Sequence, residues 1–450
     1  MGRKHKKSTR PRQTVIETVV TDMISCLPGH VIDQILSYLP IREAVRTSVL
    51  SKIWKNKWYT LPNLVFNKQG VSDVASEYAL VNHNKIVKIV DHVLLIHSGP
   101  INMFKFTVDE DDIIGEILVT DMDRWILHLT GRSIKELVLE FQFLTEEEEE
   151  YYKIPWCLFS CQSLHHLKLK WCWLNPPKVF EGFRNLRSLD LNLVTMTQDA
   201  FENMIFGCPL LENLKLKEVD GLTQINIHAP NLKIFEVFGE FEGISFDNTF
   251  QLVTTIVDSR FNLSPENDQS ILHGPSSNLL DFFDHQSHLQ SLVIGSCFLK
   301  YLAAGILPMK LPISCIGLSY LSLSINFDDL KEISAALCLL RSSPNLKKLE
   351  ISARIELHTV PLTPVSVYYW DDTFSRPDTP IQVQYVTIDS ISGFQPELDL
   401  IRFLLLYSPM LEKMIVKPIV NVRPELVPEL IRFKRASGEA EVIYEVEDSS

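Results

Sequence analysis

The chain has 450 residues, of which 46% are hydrophobic and 22% are charged, and its formal net charge is −13 at pH 7. This composition is typical of a folded protein and excludes a disordered chain. The acidic balance argues against general nucleic-acid binding, which needs clustered positive charge. No apolar run reaches the roughly 18 residues of a transmembrane helix, so we predict no membrane span.

The chain begins with a basic segment. Residues 1–13, "MGRKHKKSTRPRQ", contain six Lys or Arg and no acid, and no apolar core of a signal peptide follows. We predict a disordered basic tail over residues 1–21, with nuclear import or weak polyanion binding as an alternative role. The eight cysteines lack the dense spacing of a secreted disulfide scaffold. We therefore expect the protein in the nucleus, the cytoplasm or both.

Residues 27–58, "LPGHVIDQILSYLPIREAVRTSVLSKIWKNKW", predict three short helices separated at Pro28, Pro40 and Ser51. About forty residues bury too small a fraction of their surface to be securely stable alone. Six large apolar side chains packed against another protein would contribute on the order of 10 kcal/mol before the cost of association. The segment is therefore expected to complete its core with a partner.

A repeat runs through the rest of the chain. "LHHLKLKWCWL" (164–174) fits the leucine-rich pattern L-x-x-L-x-L-x-x-N/C-x-L at every position, and "LQSLVIGSCFL" (289–299) fits with one Ile for Leu. Shorter copies of the pattern start at Ile101, Ile134, Leu186, Leu211, Leu232, Leu318, Leu346, Val383 and Leu411. The long gap after Leu232 is predicted to hold a degenerate repeat around "FQLVTTIV" (250–257). Stacked repeats of this kind form a solenoid with a curved parallel sheet.

A tempting zinc site lies at the start of the repeats. Cys157, Cys161, His165, His166 and Cys172 are close in sequence, and such clusters bind zinc in other proteins. The repeat pattern predicts that these side chains diverge, with the first two cysteines on the convex side and His166 on the concave side. We also find no phosphate-binding loop, nucleophile elbow or metalloprotease motif. We predict no metal, no cofactor and no catalytic site.

The concave face of the solenoid is the expected surface for a protein target, because alternate side chains of each strand point away from the core. The predicted target-binding residues form a basic stripe that Asp190 interrupts: His166, Lys168, Lys170, Lys215 and Lys217. Such a stripe suits an acidic or phosphorylated segment. The alternative is an ordinary mixed, solvated surface.

The stretch 27–58 closely resembles the F-box of plant F-box proteins. The matching elements are the initial Leu-Pro, the I-L-x-x-L-P run at 35–40, the R-T-S-x-L-S element at 46–51 and the W-x-x-x-W ending at 54–58. Ile53 departs from the family, which usually has Arg there. The resemblance implies binding to the Skp-type adaptor of a cullin–RING ubiquitin ligase. The implied adaptor-binding residues are Leu27, Pro28, Ile32, Ile35, Leu36, Leu39, Pro40, Val45, Val49, Leu50, Trp54 and Trp58.

The C-terminal stretches 393–418 and 429–445 are similar to the FBD module that closes many plant F-box/leucine-rich proteins. The resemblance implies an α/β fold with a three-helix F-box (22–66), an irregular leucine-rich-repeat solenoid (67–377) and an FBD cap (378–450). It also implies a non-catalytic substrate-recognition subunit of an SCF-type ubiquitin ligase with an unknown protein substrate. The alternatives are a leucine-rich scaffold with a vestigial F-box, and a small-molecule hormone receptor, for which we see no arginine cluster.

Overall fold

A computed structural model of the chain describes residues 23–24, 26–67, 79–107, 116–140, 151–259, 277–283, 286, 288–354, 380–419 and 426–445. The predicted basic tail (1–21) and the proposed boundary at 377/378 lie outside these ranges. Within them, no helix has the length and apolar character needed to cross a membrane.

Short helices alternate with strands along the described chain. The α-helices are α1 Gly29–Ser37, α2 Ile41–Arg46, α3 Ala79–Ile96, α4 Glu116–Thr130, α5 Trp156–Phe159, α6 Gln198–Phe206, α7 Asn278–Phe283, α8 Ser296–Leu302, α9 Leu330–Ser342, α10 Gln395–Tyr407 and α11 Leu426–Arg432. The strands are β1 Asn63–Phe66, β2 Met103–Thr107, β3 Glu136–Glu140, β4 Tyr152–Lys153, β5 His166–Trp173, β6 Ser188–Thr195, β7 Asn213–Asp220, β8 Gln224–His228, β9 Ile234–Gly239, β10 Gly243–Asp247, β11 Thr254–Ser259, β12 Ser291–Ile294, β13 Tyr320–Asn326, β14 Lys348–Arg354, β15 Tyr385–Ile391, β16 Lys413–Pro418 and β17 Glu441–Tyr444.

One parallel sheet of 15 described strands runs through the molecule, and its strand order follows the chain from β1 to β17. Strands β8 and β10 leave this path and pair with each other, while β4 pairs with β5. Successive repeats are joined by a recurring pattern, in which one backbone carbonyl accepts two consecutive N–H groups of the next repeat. The carbonyl of Lys135 accepts the N–H groups of His165 and His166 at 2.7 and 3.1 Å, and the carbonyl of His165 accepts those of Arg187 and Ser188. The predicted open solenoid is confirmed.

The leucines of the repeat line the core, as the pattern predicts. In β5 and β6 buried residues alternate with half-buried ones, and Leu167, Leu169, Leu189 and Leu191 are buried. The predicted degenerate repeat is also confirmed, because β11 pairs on one side with β9 and on the other with β12. Its core position 255 carries a buried Thr where the neighbouring strands carry Phe235 and Leu292, which explains why the pattern is faint there.

Asparagine side chains join the turns that precede several strands. The amide of Asn231 donates to the carbonyl of Pro209 at 2.8 Å, and the amide of Asn345 donates to that of Ile316 at 2.8 Å. Asn185 bonds the preceding repeat in the same manner. All three hydrogen bonds lie at the surface, and each one links a turn to the turn of the preceding repeat.

The F-box segment contains two α-helices rather than the three that the sequence predicts. Helices α1 and α2 are followed by 3₁₀ helices at Thr47–Val49 and Lys57–Thr60, with turns between them. Hydroxyl side chains offer the backbone a competing hydrogen bond at this point: the Thr47 hydroxyl donates to the carbonyl of Ala44 at 2.7 Å. The ion pair between Lys57 and Asp33, at 2.8 Å, ties the second 3₁₀ helix to α1.

The F-box and the repeats share a core. The last four residues of the predicted F-box range form β1, which pairs with β2 in the main sheet. Ile41 and Trp58 of the F-box are buried in the same cluster as Val93 of α3. The N–H of Ser98 donates to the carbonyl of Tyr59 at 2.9 Å. The first repeat therefore supplies one side of the core that the sequence assigned to a partner alone. A partner on the remaining side stays a prediction.

The C-terminal segment continues the array. Strands β15, β16 and β17 pair in parallel with one another, and β15 pairs with β14. The region predicted as an FBD cap therefore ends the solenoid as its last three described strands, with α10 and α11 between them. Repeat arrays require a unit that covers the open end of the core, and that role of this segment stays a prediction.

Candidate functional site

The twelve residues predicted to bind an adaptor fall into groups with different surroundings. Ile32, Leu36, Trp54 and Trp58 are buried inside the chain. The direct adaptor contact predicted for these four is therefore not available in this arrangement. They are spaced so that one face of the F-box packs inward on the rest of the chain.

Two further pairs shape the segment. Leu27 and Leu39 are half-buried and pack against the core. Pro28 and Pro40 are exposed and stand immediately before α1 and α2, each with an extended backbone. Proline lacks the N–H that would be unsatisfied at a helix start and has its φ already fixed. The Leu-Pro and Leu-Pro-Ile elements of the motif therefore set where the two helices begin.

The remaining predicted residues are exposed apolar side chains. Val49 is 87% exposed and Leu50 is 49% exposed, and Ile35 and Val45 are also exposed. Four exposed apolar side chains within one short segment make this segment a candidate interaction surface. These four residues are the part of the prediction that the structure leaves open to a partner.

Sequence reasoning missed members of this surface. Tyr38 is 79% exposed, and Met23, Ile24 and Ile53 are exposed as well. The indole N–H of Trp54 donates to the carbonyl of Ile24 at 3.2 Å, so the start of the described chain lies beside the end of the F-box. Residue 53 was singled out only as a departure from the family motif. We name the exposed apolar residues of this segment the F-box patch: Met23, Ile24, Ile35, Tyr38, Val45, Val49, Leu50 and Ile53.

The predicted basic stripe lies on the outward-facing positions of β5 and β7, but it is not uniformly basic. Lys168 lies 2.8 Å from Glu140 and 3.5 Å from Asp190, and Lys215 lies 2.8 Å from Glu236. These residues occupy equivalent or adjacent positions of successive strands. The interruption predicted at Asp190 is present, and Glu140 and Glu236 of neighbouring strands add further negative charge beside Lys168 and Lys215.

The ion pairs alter the ionisation of their members. Burial alone would raise the pKa of Glu140, but the hydrogen bond and charge of Lys168 outweigh it and leave that pKa below its ordinary value. Burial would likewise lower the pKa of Lys168, yet Glu140 and Asp190 hold it above its ordinary value. Both groups are thus charged at neutral pH and form an ion pair.

The other three predicted residues, unlike Lys168 and Lys215, are not held by a carboxylate among the described residues. Lys217 is exposed, and its Nζ lies 5.9 Å from the centre of the Phe238 ring. Lys170 is half-buried and His166 is exposed. Among the residues that the structure describes, neither Lys170 nor Lys217 forms an ion pair. In the strand register Asn192 lies between these two lysines, so they form a short cationic row on the concave face.

The possible zinc ligands do not converge on a shared space. Cys157, Cys161 and Cys172 are buried, whereas His166 is exposed. Burial raises the pKa of the Cys157 and Cys172 thiols, which disfavours the thiolate that a metal needs. Across the described ranges, no group of three His, Cys, Asp or Glu is placed to hold a metal ion.

Comparisons with known proteins agree with this architecture. The F-box domain model matches residues 24–66. A model of the leucine-rich repeats of the FBD-associated F-box protein At5g56370 matches residues 122–351. The F-box match covers α1, α2, the two 3₁₀ helices and β1. The repeat match includes the strands from β3 to β14.

Whole-chain relatives come from Arabidopsis thaliana. The F-box/FBD/LRR-repeat protein At1g13570 is 36% identical over 427 residues, which covers 94% of this chain and 98% of that protein. The FBD-associated F-box protein At1g66310 is 26% identical and covers 98% of this chain and 100% of its own length. The F-box/FBD/LRR-repeat protein At1g78750 is 25% identical over 94% of this chain.

Proposed function

Because the chain belongs to the plant F-box/FBD/LRR-repeat family, we propose that it is the substrate-recognition subunit of an SCF-type ubiquitin ligase. In this role the F-box binds a Skp-type adaptor, and through it a cullin–RING ligase, while the repeats bind a target protein. The chain then contributes proximity, which turns a bimolecular ubiquitin transfer into an effectively intramolecular one. Two binding surfaces and a stiff spacer between them are sufficient for this effect.

The observation that carries the proposal is the F-box patch. In the repeat array the strand leucines are buried because the repeats stack on one another. The F-box segment, in contrast, leaves Val49, Leu50 and Tyr38 exposed to solvent. Burying a side chain of this size against a partner stabilises the complex by about 1.5–3 kcal/mol before the costs of association. The patch therefore supports an adaptor that covers the exposed apolar side chains of the F-box.

The test is co-expression of the full-length chain with a plant Skp-type adaptor, followed by size-exclusion chromatography with mass determination. The wild-type chain is expected to form a 1:1 complex. The double variant Val49→Glu, Leu50→Glu is expected to lose it, because two charges would have to be desolvated in the interface. Ile306→Glu is the matched control, since Ile306 is 75% exposed but lies outside the F-box.

A well-folded wild-type chain that forms no complex would refute adaptor binding and leave a leucine-rich scaffold. Equal complex formation by the wild type and the double variant would show that the F-box patch is not the interface. Circular dichroism of each variant checks that the substitutions, which fall on exposed side chains, leave the fold intact.

We place the target surface on the concave face, around the row formed by Lys170 and Lys217, with the exposed His166 on the same strand as Lys170. The charge of this row favours an acidic or phosphorylated segment, because charge-assisted hydrogen bonds to ammonium groups are the strong ones. Lys168 and Lys215 contribute less to such a site, since each is already held by a carboxylate. The surface is wide enough for an extended segment, because the row crosses several strands.

Target binding is tested with an array of phosphorylated and unphosphorylated peptides and the full-length chain. The double variant Lys170→Gln, Lys217→Gln is expected to lose most of the charge-dependent binding, while Lys168→Gln, Lys215→Gln loses less. If the two double variants behave alike, or if phosphorylated and unphosphorylated peptides bind equally, the chemistry proposed for the target is wrong. Adaptor binding is measured separately and does not depend on this result.

A further inference from the structure

A cavity of about 510 Å³ opens where the F-box meets the first repeat. One wall is α2, which contributes Ile41 and Val45, and the opposite wall is α3, which contributes Ile89 and Val93. The ring of Trp58, from the second 3₁₀ helix, closes the floor. The cavity therefore belongs to both regions, and any molecule inside it would touch both.

The floor and the walls of the cavity are apolar. Ile41, Trp58 and Val93 are almost fully buried at its base, whereas Val45 and Ile89 stand higher and are each 36% exposed. Water in contact with such surfaces makes few hydrogen bonds, so an apolar group that displaces it is favoured. A volume of this size lies within the range of small-molecule sites, roughly 300–1,000 Å³.

The polar lining residues are all basic. Arg42 and Arg46 come from α2, and Lys88 and His92 come from α3 on the opposite side. No Asp or Glu is found among the described residues that line the cavity. Arg46 pairs with Glu43 at 3.1 Å, but both side chains are largely exposed, so water screens that pair. In a chain whose net charge is −13, an apolar cavity with an exclusively basic rim selects for the opposite charge.

We propose that this cavity binds a small organic anion, a carboxylate that carries an alkyl or aryl body. The apolar body lies between α2 and α3 above Trp58, and the carboxylate lies at the rim between Arg46 and Lys88. The site is distinct from the row on the concave face proposed for the target, and it shares Val45 with the F-box patch. A molecule bound there joins the F-box to the first repeat and stabilises the folded joint by linkage.

The probe is decanoate, below its critical micelle concentration, titrated into the full-length chain by isothermal calorimetry. Saturable 1:1 binding and a raised melting temperature are expected. Decyltrimethylammonium, which has the same chain and the opposite charge, is expected to show no saturable binding. No adaptor is present, so this result is independent of the proposed ligase function.

Two sets of variants locate the site. The double charge reversal Arg46→Glu, Lys88→Glu is expected to weaken decanoate binding at least about tenfold. Ile89→Trp fills the cavity and is expected to weaken binding to a similar degree. Leu95→Trp is the matched control on the same helix, because Leu95 is 82% exposed and does not line the cavity. The neutral variant Lys88→Gln, which adds no new charge, must weaken binding in the same direction.

Several outcomes would overturn the proposal. One is the absence of decanoate binding, and another is equal binding of the cationic amphiphile. A third is binding that the rim and cavity variants leave unchanged, which would place the anion elsewhere. If a peptide of alternating Glu and Leu binds with saturation and is sensitive to the same variants, while decanoate does not bind, the cavity serves an acidic protein segment instead of a small anion.

Discussion

The F-box segment and the repeat array differ in how completely they bury their apolar residues. In the array, Leu189, Leu191 and Leu214 are completely buried because each repeat covers the next. In the F-box, Val49 and Leu50 remain in solvent although the segment is no less apolar. The array closes its own core by repetition, whereas the F-box, which occurs once, is covered by the first repeat on one side, as far as the described residues show. An unrepeated unit of this size cannot cover all of its apolar surface by stacking on copies of itself.

The two regions are not independent, however. Trp58 and Ile41 pack into the same core as α3, and β1 pairs with β2. This shared core predicts that the F-box depends on the first repeat for its stability, while the distant repeats do not depend on the F-box. Each of the following predictions tests one side of that asymmetry.

The largest effect is expected for Trp58→Ala. Trp58 is 5% exposed, and removing a buried Trp side chain costs about 3–5 kcal/mol. The loss should be local, so amide hydrogen exchange should accelerate in α1 and α2 and much less in β13 to β16. Uniform acceleration over the whole array would show instead that the F-box and the repeats unfold as one unit. Ile306→Ala, on an exposed side chain, serves as the control.

A somewhat smaller loss is expected for Leu191→Ala in the middle of the array. This change removes a fully buried leucine and should cost about 2–5 kcal/mol, depending on how far the neighbouring strands can close the cavity. Urea unfolding should show a lower midpoint, while complex formation with the adaptor at low urea stays unchanged. Loss of the adaptor complex in this variant would contradict the local character of the F-box surface.

Lys168→Glu is expected to lower the free energy of unfolding by about 1 kcal/mol, because partly exposed ion pairs contribute little individually. The change breaks the contacts with Glu140 and Asp190 and places three carboxylates together. The control is Lys217→Glu, whose side chain faces Phe238 and has no ion pair in the described part of the chain. Chemical denaturation of the two variants side by side measures the difference, and high salt should reduce it.

The smallest expected effect is a pH dependence of the stability where the F-box meets the first repeat. His97 is buried, and its Nε2 lies 2.8 Å from the carbonyl of Leu61, while Arg132 and His128 lie nearby. Burial lowers the pKa of His97 below its ordinary value near 6.5, and the charge of Arg132 adds to this effect. The neutral form is therefore favoured by folding. Its contribution to stability is complete above pH 6.5 and is lost as the pH falls from there through the lowered pKa.

Melting curves between about pH 7.5 and pH 5.5 measure this contribution. His97→Gln, which cannot titrate, is expected to show a flatter decline of the melting temperature than the wild type. Ile306→Gln, on an exposed side chain that does not titrate, should leave the decline unchanged. A decline of equal slope in the wild type and in His97→Gln would assign the pH dependence to other groups.

Most of the fold follows from the sequence. The period of the leucines identifies the strands and their inward-facing positions, and it identifies even β11, where Thr255 replaces the expected apolar residue. The F-box motif identifies the N-terminal helices, because Pro28 and Pro40 mark their starts. The cross-strand ion pairs were also within reach of sequence reasoning. Aligning the repeats places Lys168, Asp190, Lys215 and Glu236 at one equivalent position, so their charges alternate.

Tertiary structure alone decided which side of the F-box is free. Ile32 and Val49 are both apolar residues of the same short motif, yet one is buried and the other is 87% exposed. The difference arises because the chain packs one face of the F-box on itself and on the first repeat, and sequence spacing does not specify that packing. The cavity between α2 and α3 has the same origin: residues some forty positions apart meet there only through long-range packing. Local periodicity determines which face of an element is apolar, but contacts between distant segments determine what covers it.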